Sequence, residues 1–82
     1  MRIVWDEPKR LSNIDKHGLD FADIAGEFFL DALVVPAKDG RFVAIGKLND
    51  EAVAVVFARR GREAVSVIST RSASRKERML LK

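Results

Sequence analysis

The residues of this chain that could do chemistry are mostly arginines, and they are concentrated towards one end. From Arg59 to Lys82 there are eight basic residues (Arg59, Arg60, Arg62, Arg71, Arg75, Lys76, Arg78, Lys82) against two acids, Glu63 and Glu77. That surplus of six leaves the rest of the chain at −3 within a total of +3. A guanidinium stays charged at any cellular pH, and its planar fork matches two phosphate oxygens. An imbalance of this kind suits a polyanion, of which nucleic acid is the commonest. The plainer alternative is a solvated basic face.

Other single residues carry two readings each. Histidine is the one side-chain type here that ordinarily titrates near neutrality, so His17 is the natural candidate for proton transfer. It also precedes Gly18 at a predicted helix end, where an imidazolium complements the helix dipole. Lys16 beside it, and Lys47 on a predicted strand, can anchor a phosphate or simply be solvated. Glu77 could serve as a base, yet it stands three residues after Ser74, the spacing of a capping box. Trp5 could stack on a base, although burial suits the only tryptophan of a small core.

Composition narrows the possibilities. A chain of 82 residues forms one small domain, spanning 1–82, which buries only about 60% of the surface its unfolded chain exposes. At 48% hydrophobic and 33% charged residues, the balance is globular. The absence of cysteine excludes disulfides and thiolate metal sites, and one histidine excludes a multi-histidine site within the chain. No cofactor is implied. The apolar runs are too short to cross a bilayer and no signal-peptide pattern opens the chain, so a soluble, cytoplasmic protein is expected.

The elements that must position these residues follow from periodicity and caps. Arg2 to Trp5 reads as a strand. Asp6 caps a helix with Pro8 in its first turn, running to about His17 and stopped by Gly18. Asp20 caps a second helix whose stripe is Phe21, Ile24, Ala25 and Phe28; Phe29 reads as core as well, although it falls off that stripe and could serve a partner interface. Leu33-Val34-Val35 can pair as a short strand. Arg41 to Leu48, Ala52 to Arg59 and Ala64 to Arg71 read as an antiparallel meander, with short polar breaks. A last helix starts at Ser74 and closes on Met79, Leu80 and Leu81, more apolar surface than a short helix can bury alone. The fold class is α+β, a small antiparallel sheet packed with two N-terminal helices and one C-terminal helix.

Several blocks of sequence, in order, resemble one family. They are Trp5-Asp6-Glu7-Pro8-Lys9, Asn13, Lys16-His17-Gly18, Phe21, Phe28-Phe29, Gly40-Arg41, Ile45-Gly46, Val55-Val56-Phe57, Arg60-Gly61 and Ile68 to Arg78. Together they look like BrnT-like toxins, the ribonuclease members of bacterial type II toxin–antitoxin pairs. The resemblance implies a RelE-like α+β fold and RNA cleavage without a metal. It also implies a tight complex with a DNA-binding antitoxin, usually of ribbon-helix-helix type, that represses its own promoter, with a homodimer inside a heterotetramer as one arrangement.

Metal-free cleavage lets the ribose 2′-hydroxyl attack the adjacent phosphate. It needs a proton acceptor, cations for the charge on phosphorus, and a donor for the leaving oxygen. On this reading Arg60, Arg71 and His17 are the catalytic candidates, with the family analogy bringing both arginines to one site, and Lys16, Lys47, Arg75 and Arg78 bind RNA. The chain departs from the family at Ser66, where an arginine is frequent, at Arg59, where an acid is usual, and at its end, which lacks a tyrosine. These departures define an alternative: a catalytically weakened relative that acts as an antitoxin-binding co-repressor module. A DNA-binding protein in its own right is disfavoured, because no groove-reading helix stands out.

Overall fold

Local signals set the first element. In the computed structural model, which describes residues 1–81, helix α1 spans Glu7–His17, and the Asp6 carboxylate accepts the free Lys9 amide at 3.2 Å. Gly18 ends it in the left-handed region (φ 69°), donating its N–H to the Ile14 carbonyl. A side chain at that φ would be strained, so glycine is the stop. Lys82, the last of the basic residues counted above, lies outside the described residues.

The second predicted helix is broken in two. Asp20 caps a 3₁₀ turn at Phe21–Asp23, the chain extends through Ile24 and Ala25, and α2 begins afresh at Gly26–Asp31. Glycine is a poor helix former, and Ala25 supplies no side-chain cap to carry a helix through. The apolar stripe survives this break: Phe21, Ile24 and Phe28 are all buried.

Five strands follow the predicted positions closely: β1 (Arg2–Trp5), β2 (Leu33–Pro36), β3 (Arg41–Leu48), β4 (Glu51–Arg60) and β5 (Ala64–Ser72). β3 and β4 are joined through Asn49 and Asp50, both at positive φ, the backbone that a tight two-residue hairpin requires. The sheet order is β1-β5-β4-β3-β2. Every pair is antiparallel except β1 with β5, which is parallel, so the sheet is mixed and not wholly antiparallel as expected. Period-two alternation marks a strand's faces but says nothing about its partner or direction.

One face of the sheet carries the core. Val53, Val55 and Phe57 of β4, Ala44 of β3, and Val65 and Val67 of β5 pack against Phe21, Ile24 and Phe28. α1 docks on β5 and α2 on β3, where Phe28 lies against Gly46 so closely that an added Cβ would meet its ring at 3.1 Å. Phe29 belongs to this core too, as expected, edge-on to Phe57 at 5.2 Å between ring centres. Trp5 is half-buried against the same cluster, with its indole N–H donated to Glu7 at 3.0 Å.

Asn13 holds the helical layer to the sheet. β1 stops beside Val67, so the outward-facing backbone groups of Thr70 lose their strand partner. The Asn13 carboxamide replaces it, donating to the Thr70 carbonyl at 2.8 Å and accepting the Thr70 amide at 3.1 Å. It donates as well to the Leu19 carbonyl at 2.9 Å. A buried backbone group without a partner is expensive, which explains an asparagine in the middle of a helix.

Candidate nucleic-acid interface on the open sheet face

Residues directly opposite on neighbouring strands share a face, so the register reveals what lies away from the helices. Leu33, Ile45, Ala54 and Arg71 form one row across the sheet; Arg41, Ala58, Ser66 and Val4 form another; Arg60, Ala64 and Arg2 a third. Lys47 stands opposite Ala52, one row beyond Arg71. Arg2, Arg41, Lys47, Arg60 and Arg71 therefore occupy the face opposite to the core, and none of the strand residues that share it is acidic. The helical layer is the reverse: Asp15, Asp20, Asp23, Glu27 and Asp31 fall between α1 and the end of α2. A polyanion meets attraction on one side of the sheet and repulsion on the other.

Arg71 is the most elaborately held of the five. Its guanidinium meets the Glu77 carboxylate fork to fork, Nη1 to Oε1 at 2.7 Å and Nη2 to Oε2 at 3.0 Å. Glu77 comes from α3 (Arg75–Leu80), where it also closes the capping box: it accepts the Ser74 amide at 2.8 Å while the Ser74 hydroxyl accepts the Glu77 amide at 3.2 Å. The cap and the ion pair thus share one carboxylate. The Arg71 hydrogen bonds hold that carboxyl down at about 2, helped by the Ser74 amide against a partial desolvation, and the pairing raises Arg71 in turn. Arg71 keeps 37% of its side chain in solvent while Glu77 keeps 18%, so the guanidinium remains reachable from the open face.

The other predicted site residues are dispersed. Arg60 and Arg71 share the face but not a place on it. Arg71 lies opposite Ala54, six residues along β4 from Arg60, which puts them roughly 20 Å apart at about 3.3 Å per residue. The expected convergence of these two on one phosphate is not found. Lys47 is the better neighbour of Arg71: two strands and one row away, roughly 12 Å between Cα atoms, over Ala52 and Ala54. Lys16 and His17 are exposed in the last turn of α1, which runs along the β5 edge through Asn13. Arg75 is exposed at the start of α3, whereas Arg78 donates to the Ala73 carbonyl at 2.8 Å and braces the corner between β5 and α3.

Two residues that the spacing did not single out belong to the same face. Arg2 and Arg41 are exposed and carry no ion pair among the described residues. The signal that could have found them is strand parity, counted from Ala58 and Ala64 once the pairing is known. Arg59, by contrast, lies on the helix-covered side, its guanidinium 5.1 Å above the Phe42 ring.

The comparisons with known proteins agree with this architecture. A family model described as "Ribonuclease toxin, BrnT, of type II toxin-antitoxin system" matches residues 5–77. Among solved structures, the crystal structure of the Brucella abortus ribonuclease toxin BrnT is similar at 59% identity, covering 92% of this chain and 99% of that one, with a TM-score of 0.86. No curated protein matches the chain. With the family model matching residues 5–77 and a solved member 59% identical over 92% of the sequence, this chain belongs to the BrnT ribonuclease toxin family of type II toxin–antitoxin systems.

Proposed function

We propose that this protein is a metal-independent endoribonuclease toxin on a RelE-like scaffold, cleaving RNA at the Arg71 end of the open sheet face. The observation that carries this reading is the Arg71–Glu77 fork on a basic face free of strand acids. In the reaction the 2′-hydroxyl oxygen bonds to the adjacent phosphorus as its proton leaves. The bond from phosphorus to the 5′-oxygen breaks, and that oxygen takes up a proton. The products end in a 2′,3′-cyclic phosphate and a 5′-hydroxyl.

Arg71 suits the charge that builds on the non-bridging oxygens, and the exposed Lys47 is the nearest other strand cation on that face, beyond the buried Ile45 and Ala54. Glu77 is a poor proton acceptor, because a carboxyl held near 2 has little basicity left. Its role is to orient Arg71.

Cleavage of messenger RNA would stop translation and growth in the cytoplasm. A cognate antitoxin, DNA-binding and of ribbon-helix-helix type, neutralises the protein, and the complex, with toxin dimers inside a heterotetramer, represses its own operon. Met79 and Leu80, exposed on α3, offer apolar surface for that contact. One departure favours the second reading, a weakened co-repressor module: Ser66 stands on the open face where the family frequently carries an arginine. Expression of the toxin alone and with its antitoxin decides between them. Growth arrest and broken messenger RNA, reversed by the antitoxin, support the nuclease. Normal growth with soluble toxin present leaves the co-repressor.

A further inference from the structure

We infer that Arg2, Arg41 and Arg60 form a second phosphate-binding subsite, which holds the RNA strand several nucleotides from the bond that is cut. This deepens the ribonuclease reading and rests on it for the direction of the strand. The three arginines sit at the far end of the open face from Arg71. Arg60 and Arg2 flank Ala64 in one row, and Arg41 lies diagonally from Arg60 beside Ala58. Neighbours on adjacent strands two residues out of step are roughly 7–8 Å apart, within reach of one phosphate for long side chains.

All three are exposed and none has a carboxylate partner among the described residues, so their charge is uncompensated. Nothing bulky separates them. Ala58, Ala64 and Ser66 leave a low floor on which a backbone can lie close to the sheet. The roughly 20 Å from Arg60 to Arg71 is a distance an extended strand covers in a few nucleotides, consistent with the small footprints of about 4–16 nucleotides of single-strand binding folds. No aromatic side chain shares this face, so the grip is on phosphates and tolerant of sequence. An acidic protein segment would meet the same charge. RNA is favoured because the subsite continues along a face free of strand acids to the place where cleavage is proposed.

Two measurements on the full-length protein test this. The first is binding of an eight-nucleotide 2′-O-methyl RNA, which cannot be cut, to wild type and to the double variant R41Q/R60Q across a salt series. Loss of two phosphate contacts should flatten the slope of log affinity against log salt by about 1.4, at about 0.7 per contact, and weaken binding at least tenfold at low salt. The second is the ratio of kcat/KM on an eight-nucleotide substrate to that on a dinucleotide, which should fall at least tenfold in the variant, mainly through KM. Unchanged slope and affinity in a variant that melts with wild type overturn the subsite. Weakened antitoxin binding with RNA affinity intact also overturns it and assigns the patch to an acidic protein segment. Failure of the wild type to cut either RNA contradicts the nuclease reading alone, since the 2′-O-methyl binding result is independent of cleavage.

Discussion

Arg71 on β5 and Glu77 on α3 are bound through two near-parallel hydrogen bonds of 2.7 and 3.0 Å, and the same carboxylate caps the helix that carries it. The position of the guanidinium is thereby tied to the integrity of a six-residue helix too short to be stable alone. A sheet fixes where Arg71 starts, and α3 fixes where it points.

Replacing Glu77 by glutamine separates orientation from proton transfer. Glutamine can still close the capping box, so α3 should persist. Cleavage should slow, with the pH–rate profile between pH 5 and 8 keeping its shape, because a carboxyl held near 2 does not titrate there. Loss of the acidic limb in this variant would make Glu77 the proton acceptor after all.

The same pair predicts a pH dependence of stability. The folded Glu77 carboxyl is lowered from 4.5 to about 2, so its stabilisation is complete above about 4.5 and is lost as pH falls towards 2. The urea midpoint of wild type should exceed that of Glu77→Gln by a constant amount above pH 5, the two converging near pH 2. The partial exposure of Arg71 keeps the difference within about 1 kcal/mol.

Asn13→Ala should be the most damaging of the polar substitutions. Asn13 is buried and its loss strands the amide and carbonyl of Thr70 in the interior, which costs about 2–4 kcal/mol at about 1–3 per unmade buried hydrogen bond. Asn13→Asp should rescue little, since a carboxylate accepts the Thr70 amide but cannot donate to the two carbonyls. Denaturant unfolding of the three proteins checks this, and a loss under 1 kcal/mol for Asn13→Ala contradicts it.

His17 is exposed in the last turn of α1, beside the Gly18 stop, with no hydrogen bond to Arg71 or Glu77 among the described residues. His17→Gln should therefore leave RNA cleavage within about threefold of wild type. Removal of a charge-stabilising donor, by comparison, typically lowers a rate roughly 100-fold or more. A drop of the larger size at His17 would place the proton transfer at the end of α1.

Ser66 stands in the row of Arg41, between Ala58 and Val4 and one row in from Arg60. Ser66→Arg adds a sixth cation to the strand residues of this face, and should steepen the salt dependence of single-stranded RNA binding by about 0.7. An unchanged slope would mean that RNA does not pass over the row of Arg41 and Ser66.

Much of this arrangement was legible in the residues themselves, and the rest was not for identifiable reasons. Asp6 with Gly18, Ser74 with Glu77, and the breaks around Asn49 and Gly61 are local signals, and the elements end where those residues say. The break at Ala25–Gly26 was hidden because the buried stripe of Phe21, Ile24 and Phe28 keeps its order whether or not the helix is continuous. The parallel seat of β1, the replacement of a strand by Asn13, and the pairing of Arg71 with Glu77 depend on contacts between distant or differently oriented groups. Arg60 and Arg71 each stood out as candidate phosphate ligands, but their separation required the register.

Cleavage of a single-stranded RNA by purified wild type and Arg71→Ala, with and without EDTA, tests the central claim most directly. The account predicts 2′,3′-cyclic phosphate products at equal rates with and without chelator for wild type, and a rate at least roughly 100-fold lower for Arg71→Ala in a protein that still folds. Cleavage by Arg71→Ala at the wild-type rate would contradict it.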